Sequence, residues 1–224
     1  MVEAIGATRT YKTGSVEVTA LSKVDVRIEA GEFVAVMGPS GSGKTTLLNC
    51  LSGLDELTSG EVLVEGEPLS KMSDRERTRY RARRMGFIFQ AFNLIPVFSA
   101  VENVELPLLL GGRRPKVARQ RALDALAEVG LSERANHRPS ELSAGEQQRV
   151  AISRAIAPDP AVLWADEPTG NLDSENADKI LVLLESLNRS VGLTIIMVTH
   201  DPGLGARAAR LVRMRDGRLL DREG

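Results

Sequence analysis

Apolar and polar residues alternate along the first part of the chain, in three short stretches separated by glycine-containing turns. The stretches read VEVTAL, KVDVRIEAGE and GEVLVEGEPL. Alternation with a period of two places apolar side chains on one face of a strand and polar side chains on the other. The pattern therefore predicts an antiparallel sheet with one face exposed to solvent.

Other apolar segments are continuous rather than alternating: FVAVM, FIF, VLWA and TIIMVT. Short continuous runs are typical of strands that are buried on both faces, as in parallel sheets. Helix-like segments accompany them, namely TTLLNCLSGL, KVARQRALDALAEVG, the run after LSAG, and SENADKILVLLESLNRS. Buried strands joined by helices predict an α/β core. The stretch from about Ala91 to Ala157 lacks clear strands, and we interpret it as a helical insertion.

The composition indicates an ordinary globular protein. The 224 residues are 42% hydrophobic and 26% charged, with a formal net charge of −1, so no overall field favours nucleic acid or anionic lipid. The single cysteine, Cys50, excludes an internal disulfide and is expected to be a small buried side chain in a reducing compartment. No stretch resembles a signal peptide or is long enough to span a bilayer, so we expect any membrane role to require a partner.

One strongly basic segment, Ser73 to Arg84, reads SDRERTRYRARR. We interpret it as a solvated helix face rather than a nucleic-acid patch, because the net charge of the whole chain is close to zero.

A glycine-rich loop follows the first buried strand and reads GPSGSGKTT. It fits the pattern G-x-x-x-x-G-K-[ST] and lies between a predicted strand and a predicted helix, as a phosphate-binding loop requires. Its backbone N–H groups converge on the β-phosphate, the lysine places a positive charge at the β- and γ-phosphates, and the next threonine offers its hydroxyl to Mg²⁺. A glycine-serine linker would explain neither the lysine nor the flanking elements. The predicted nucleotide-binding residues are Gly38, Pro39, Ser40, Gly41, Ser42, Gly43, Lys44, Thr45 and Thr46.

Polar residues follow three of the buried strands, at the edge where open α/β sheets bind ligands. Asp166 and Glu167 follow AVLWA. We predict that Asp166 holds Mg²⁺ through its water. Glu167, on the opposite side of the pleat or just past the strand, would act on the attacking water. A strand that ends in a polar turn accounts well for one acidic residue but poorly for two.

His200 follows TIIMVT, and Gln90 ends MGFIFQ. The His200 imidazole could hydrogen-bond a γ-phosphate. The Gln90 amide could coordinate Mg²⁺ or water, and the alternative is a glutamine that caps the core. The residues after Gln90, AFNLIP, are expected to form an exposed apolar loop.

A second helix-opening motif, LSAGE, spans Leu142 to Glu146. Ser143 and Glu146 have the S-x-x-E spacing of a capping box, which by itself only starts a helix. A capped helix N-terminus with small residues is also an anion site. Because the phosphate loop already supplies one such site, a second is useful only if it approaches the γ-phosphate from another side.

These motifs and their order resemble the ATPase subunits of ABC transporters over essentially the whole chain. The phosphate loop, glutamine loop, signature, strand carboxylates, D-loop and switch histidine of that family match here, respectively, Gly38–Thr46, Gln90, Leu142–Glu146, Asp166 with Glu167, Gly170–Asp173, and His200. The resemblance implies a P-loop NTPase (RecA-like) α/β fold with a mostly parallel core sheet, an antiparallel β subdomain and an inserted helical subdomain. We expect residues 1–90 and 158–224 to form the core with the β subdomain, and residues 91–157 to form the helical subdomain that carries the signature.

The resemblance also implies ATP and Mg²⁺ as cofactors and a head-to-tail pair of identical copies, in which the signature of one closes over ATP held by the other. Ser143 and Gly145 would then touch the γ-phosphate in trans. The other expected nucleotide-facing residues are Ala144, Glu146, Asp173 and Tyr11, whose ring would stack on adenine. The expected catalytic residues are Glu167, His200, Lys44 and Gln90, and the expected metal ligands are Thr45, Gln90 and Asp166.

The signature departs from the usual LSGGQ at two positions. Glu146 replaces the glutamine, and Ala144 replaces the first glycine. A methyl group at Ala144 is harmless if the residue has a helical φ, but it could crowd an approaching phosphate otherwise.

Three segments narrow the resemblance to the macrolide-export and lipoprotein-release ATPases (MacB/LolD type), with the cell-division type (FtsE) close by. They begin at YKTGSVEV, FIFQAFNL and LSAGEQQR. This implies a permease partner, a location on the cytoplasmic face of the membrane through that partner, and a role for Phe92, Asn93 and Leu94 in gripping a permease helix. No nucleic-acid partner is expected.

Two other functions compete with this interpretation. A soluble ABC-type ATPase could act on nucleic acid through Ser73–Arg84, but the long coiled-coil insertion usual in repair-type relatives is absent from the sequence. A regulatory nucleotide-binding module without turnover is disfavoured by the presence of both Glu167 and His200.

Overall fold

The computed structural model describes residues 1–220, which divide into two compact units, residues 1–77 with 194–220 and residues 78–193. In chain order the elements are β1 (Val2–Thr13), β2 (Val16–Ile28), β3 (Phe33–Met37), α1 (Lys44–Leu51), β4 (Ser59–Val64), β5 (Glu67–Pro68), α2 (Asp74–Arg84), β6 (Met85–Phe89), α3 (Ala100–Leu110), α4 (Pro115–Glu128), α5 (Ala144–Ile156), β7 (Val162–Asp166), α6 (Ser174–Val191), β8 (Thr194–Thr199), α7 (Pro202–Gly205), β9 (Arg210–Arg215) and β10 (Arg218–Leu220). The predicted domain boundaries at 90, 91, 157 and 158 stay a prediction. Residues 221–224, with which the predicted core ends, lie outside the described part.

The first unit contains an antiparallel sheet in the order β2-β1-β4-β5. Leu21, Val24 and Ile28 of β2 are buried while most of its other residues face solvent, which confirms the prediction of a half-exposed antiparallel sheet.

Two details of the strand prediction for this sheet were wrong. β1 was not predicted, because small residues such as Ala4, Gly6 and Ala7 obscure its alternation. VEVTAL and the KVDVRI part of the next segment belong to one strand, β2. Its pairing with β1 continues through register shifts, so the break in the alternation does not end the strand.

The first unit also contains β3, the strand that leads into the phosphate loop, and the strands that pair with it. β3 lies between β8 and β9 and is parallel to both, and β10 pairs antiparallel with β9. β8 is buried throughout and β3 nearly so, as their continuous apolar sequences predict. β9 and β10 were missed because RLVRMR is neither a continuous apolar run nor a strict alternation of apolar and polar residues. The Asp216–Gly217 turn between them, with φ of 48° and 74°, is the signal that could have found the hairpin.

The second unit pairs β6 and β7 in parallel, in a register that runs from Met85↔Val162 to Phe89↔Asp166. Helix α5 packs against β6 and against α3, α4 and α6. Between residues 91 and 157 the regular elements of the described structure are helical, in agreement with the interpretation of this stretch. α2, in which the division between the units falls, has no buried residue, as expected of a solvated helix face.

Cys50 lies on α1 with 3% of its surface exposed, and burial raises the pKa of its thiol to about 12. The prediction of a small buried side chain is confirmed. Within residues 1–220, no helix combines the length and apolarity that crossing a membrane would require.

Candidate functional site

The phosphate loop lies between β3 and α1, where the sequence predicts it. Gly43 caps α1 with φ 98°, in the left-handed region that glycine adopts without strain. Gly38 is required for space, since a Cβ there would lie 2.1 Å from the main-chain oxygen of Met214. The loop therefore depends on its glycines, and it ends on the N–H groups that begin α1.

Lys44 and Ser42 are the buried polar side chains of this loop. The Lys44 ammonium donates hydrogen bonds to the carbonyls of Gly38 (2.8 Å) and Pro39 (2.9 Å), which occupy two of its three N–H donors. The Ser42 hydroxyl is buried with no hydrogen-bond partner in the described structure. An unsatisfied hydroxyl and a buried ammonium within one loop fit a loop that is completed by a bound anion. Pro39, Ser40, Gly41 and Thr45 are exposed, and Thr46 is half-buried.

His200 lies beside the start of this loop. Met37 on β3 pairs in register with Thr199 on β8, so Gly38 and His200 leave the sheet at the same edge. Both line an open cleft of ≈ 610 Å³, together with Pro39, Ser40 and Met214. The first unit thus brings together the predicted phosphate-binding residues and the predicted switch histidine.

The second unit brings together the carboxylates and Gln90. Asp166 ends β7 opposite Phe89, so Glu167 and Gln90 both begin the segments that leave this edge. Glu167 has φ 48°, a left-handed conformation that is uncommon outside glycine and is found at functional sites. It therefore lies just past the strand, which was one of the two positions predicted for it.

Gln90 packs against the D-loop. Its amide nitrogen lies 3.5 Å from Oδ1 of Asn171, and Asn171 donates to the Gln90 carbonyl at 2.9 Å. A Cβ at Gly170 would lie 2.8 Å from Nε2 of Gln90, so the glycine makes room for the glutamine side chain. Gln90 is exposed and bonds to a neighbouring loop rather than to the core. Its metal-binding role stays a prediction.

The signature begins α5 with the predicted capping box. The Ser143 hydroxyl accepts from the Glu146 N–H (3.3 Å), and the Glu146 carboxylate accepts from the Ser143 N–H (2.8 Å). The backbone hydrogen bond from Ser143 is the main cause that lowers the pKa of Glu146, and Arg134, 3.3 Å away, acts in the same direction. Ala144 is exposed and is the first residue of α5, so its backbone is helical. A helical φ is the condition under which a methyl group at this position is harmless.

The signature also touches the helix that follows the D-loop. Gly145 is buried against Asn176, where a Cβ would lie 2.8 Å from Oδ1. Asp173 caps α6 by accepting from the Asn176 N–H (2.9 Å) and its amide (2.7 Å), and the first of these bonds is the main cause that lowers the pKa of Asp173. Asn176 therefore joins two motifs that lie about thirty residues apart in sequence.

The loop after Gln90 is held by an arginine of α5. The Arg154 guanidinium donates to the carbonyls of Asn93 and Phe92, the latter at 2.8 Å, and burial lowers the pKa of Arg154. Phe92 and Asn93 have φ of 58° and 51°. Leu94 and Phe92 are half-buried rather than fully exposed, so the loop is less open than the sequence predicts.

Tyr11 lies on β1 with 38% of its surface exposed, and its hydroxyl donates to Asp55. Sequence reasoning missed Asp55, Arg9, Asn171, Asn176 and Gln148 as partners of the site residues. Of these five residues, only Asn171 lies inside a recognised motif, the D-loop. The other four make contacts between segments that are distant in sequence, and such contacts leave no local pattern.

A glycine loop that places a buried lysine at a helix N-terminus, at the carboxyl edge of parallel strands, defines a P-loop nucleotide-binding protein. The family model described as "ABC transporter" matches residues 21–170. Two similar solved structures are the "Dimeric Structure of MJ0796, a Bacterial ABC Transporter Cassette" and the "Dimeric structure of a post-hydrolysis state of the ATP-binding cassette MJ0796 bound to ADP and Pi". Each is 44% identical, with a TM-score of 0.91, over 99% of this chain and 97% of the other. The chain belongs to the ABC transporter family and is an ATPase domain of that family.

Proposed function

We propose that this chain is the ATP-binding and ATP-hydrolysing subunit of an ABC transporter, that two copies hold two Mg-ATP between them, and that closure and opening of this dimer drive a membrane permease. The observation that carries the proposal is the signature end of α5. Ser143 and Ala144 are exposed at a capped helix N-terminus, which is an anion site. The two similar structures are both described as dimeric, and one as bound to ADP and Pi.

The predicted phosphate-binding, catalytic and signature residues have different roles in this proposal. Lys44 and the N–H groups at the start of α1 bind the phosphates, and the unsatisfied Ser42 hydroxyl is a further donor within the loop. Glu167 orients or deprotonates the attacking water, and His200 hydrogen-bonds the γ-phosphate. Ser143 and Gly145 complete the site of the other copy, and Asp173, at the end of the D-loop, belongs to the same nucleotide-facing set.

The predicted metal ligands fit Mg²⁺. Thr45, Gln90 and Asp166 offer a hydroxyl, an amide oxygen and a carboxylate, which are the hard oxygen donors this ion prefers. The ion would offset negative charge on the phosphates.

Complementation between two inactive variants tests the shared site. Lys44→Ala removes the phosphate contact, and Ser143→Arg blocks the signature. In a mixed dimer, one site combines the intact Lys44 of one chain with the intact Ser143 of the other. We expect each variant alone to lack turnover and the mixture to regain part of it, measured as phosphate release. If the signature acted within its own chain, every chain in the mixture would carry a defect and no activity would return.

The same proposal assigns the groove beside the Arg154-held loop to a permease helix. The groove has a volume of ≈ 360 Å³ and is lined mainly by apolar residues, among them Met85, Phe87, Phe89 and Pro107. An apolar helix face fits such a groove. The subgroup expected is the macrolide-export or lipoprotein-release type, which would place the chain on the cytoplasmic face of the membrane through the permease.

Phe87→Asp should abolish co-purification with a cognate permease while ATPase activity of the isolated chain persists. Unchanged co-purification would refute the assignment.

A further inference from the structure

The ring of Tyr11 has a cation on one of its two faces. Cζ of Arg9 lies 4.5 Å from the ring centroid, within the range of a cation–π contact. Tyr11 is 38% exposed as a whole residue, and Arg9 covers only one face of its ring. The ring is therefore arranged to receive a stacking partner from one side.

A single carboxylate fixes both side chains. Asp55 binds Nε of Arg9 at 3.1 Å through Oδ2 and Nη2 of Arg9 at 2.7 Å through Oδ1. The Tyr11 hydroxyl donates to the same Oδ2 at 2.6 Å. A bidentate ion pair and a charge-assisted hydrogen bond restrict the rotation of the ring.

Asp55 takes its position from the helix that begins at the phosphate loop. The N–H groups of Leu54 and Asp55 donate to the carbonyl of Asn49 near the end of α1, at 2.8 and 3.1 Å. The Thr58 N–H donates to the carbonyl of Thr8 at 2.8 Å, so the segment after Asp55 is also bonded to β1. The backbone places Asp55 near β1 without Arg9, and the arginine contributes the orientation of the side chains.

We propose that Arg9 and Asp55 are positioning residues for the purine base, which hold Tyr11 so that the base stacks on the ring face opposite Arg9. The inference rests on the proposed function, in which the chain binds ATP, and on the expected stacking of adenine on Tyr11. A ring already held in place loses little conformational freedom when the base binds, whereas a rotating ring must be immobilised. Arg9 thus acts on affinity through Tyr11 and does not touch the nucleotide.

The test compares two ligands on matched variants by titration calorimetry. Mg-ATP carries the base, and Mg-tripolyphosphate carries only the phosphates. Arg9→Gln should weaken ATP binding about three- to tenfold, as expected for losing one immobilised side chain. It should leave tripolyphosphate binding unchanged. Lys12→Gln removes a cation from the same strand, paired at 3.5 Å with Glu17, and should change neither affinity.

The Tyr11→Ala background separates the alternatives. There, Arg9→Gln should have no further effect on ATP binding. Arg9→Lys, which keeps the charge but loses the bidentate pair, should give an intermediate affinity and serves if Arg9→Gln does not fold.

Two outcomes would overturn the inference: equal weakening of both ligands by Arg9→Gln, or the same loss of ATP affinity with and without Tyr11. If Tyr11→Ala itself leaves ATP affinity unchanged, the expected stacking of the base on Tyr11 is wrong, while tripolyphosphate binding still reports on the phosphate site.

Discussion

The side-chain amide of Gln148 donates a hydrogen bond to the main-chain carbonyl of Pro168. Gln148 is fully buried on α5, the helix that begins with the signature, and Pro168 directly follows Glu167 with its left-handed backbone. The signature helix therefore supports the turn that carries the proposed catalytic carboxylate, within one compact unit of the chain.

Replacing Gln148 with methionine tests this support. Gln148→Met keeps the shape of the side chain but leaves the Pro168 carbonyl without its partner, which should lower the free energy of unfolding by about 1–3 kcal/mol. Because Gln148 positions Glu167 and does not contact ATP, we expect kcat to fall about tenfold with little change in KM. Ser153→Ala is the control, since it removes a buried bond from the same helix to the Ala125 carbonyl. Equal kinetic effects of the two substitutions would contradict a positioning role.

Glu167→Gln should abolish turnover while it preserves nucleotide binding. The amide cannot accept the proton of the attacking water, so we expect phosphate release to fall by about 10²–10⁴-fold. Without hydrolysis the triphosphate persists between two copies, and size-exclusion chromatography should show a stable dimer that requires ATP. Wild-type rates of phosphate release in this variant would show that the general base is another residue.

A methyl group at Gly145 should disturb the contact between the signature and α6. Its Cβ would lie 2.8 Å from Oδ1 and 3.0 Å from Cγ of Asn176. Gly145→Ala should therefore lower the free energy of unfolding by about 1–3 kcal/mol. Asn176→Ala removes the obstruction, so the double variant should recover part of the loss, with a coupling energy of about 1 kcal/mol in urea unfolding. Strictly additive effects would mean that the two residues do not meet in solution.

The capping box predicts a stability difference that depends on pH. Hydrogen bonding from Ser143 and the charge of Arg134 hold the pKa of Glu146 below its ordinary value of about 4.3. Its stabilisation is therefore complete above that ordinary value and is lost as the pH falls through the lower, folded pKa. At pH 7, Glu146→Gln should be less stable by about 0.5–1 kcal/mol.

Thermal unfolding from pH 7 to pH 3 measures this difference. The gap between wild type and Glu146→Gln should shrink as the pH falls. Glu76 and Glu102, whose pKa values are also lowered, titrate in both proteins. Their contributions therefore cancel, and the stability difference between the two proteins reports the titration of Glu146. A gap that is constant over this range would be inconsistent with the proposed charge interaction.

Local patterns predicted much of the site because each motif is a continuous segment with its own backbone requirement. Gly43 needs a left-handed φ to start α1, and Ser143 with Glu146 needs only one helical turn to close its box. The strands that hold these motifs were predicted because burial on both faces demands continuous apolar residues, as in Val162–Asp166. Where the composition disturbed the alternation of apolar and polar residues, as in β1 and β9, the strand was not predicted.

By itself, then, the sequence determined where the glycine loop and the signature motif lie, which carboxylates and histidine end the strands, and to which family the chain bears a resemblance. The tertiary structure alone decided which side chains meet: Gln148 with Pro168, Asn176 with Gly145, and Asp55 with both Arg9 and Tyr11. The physical reason is the sequence separation between the residues that interact. Capping and strand burial are set by residues a few positions apart, whereas these contacts join segments 20 to 46 residues apart, and only the packing of the folded chain brings them together.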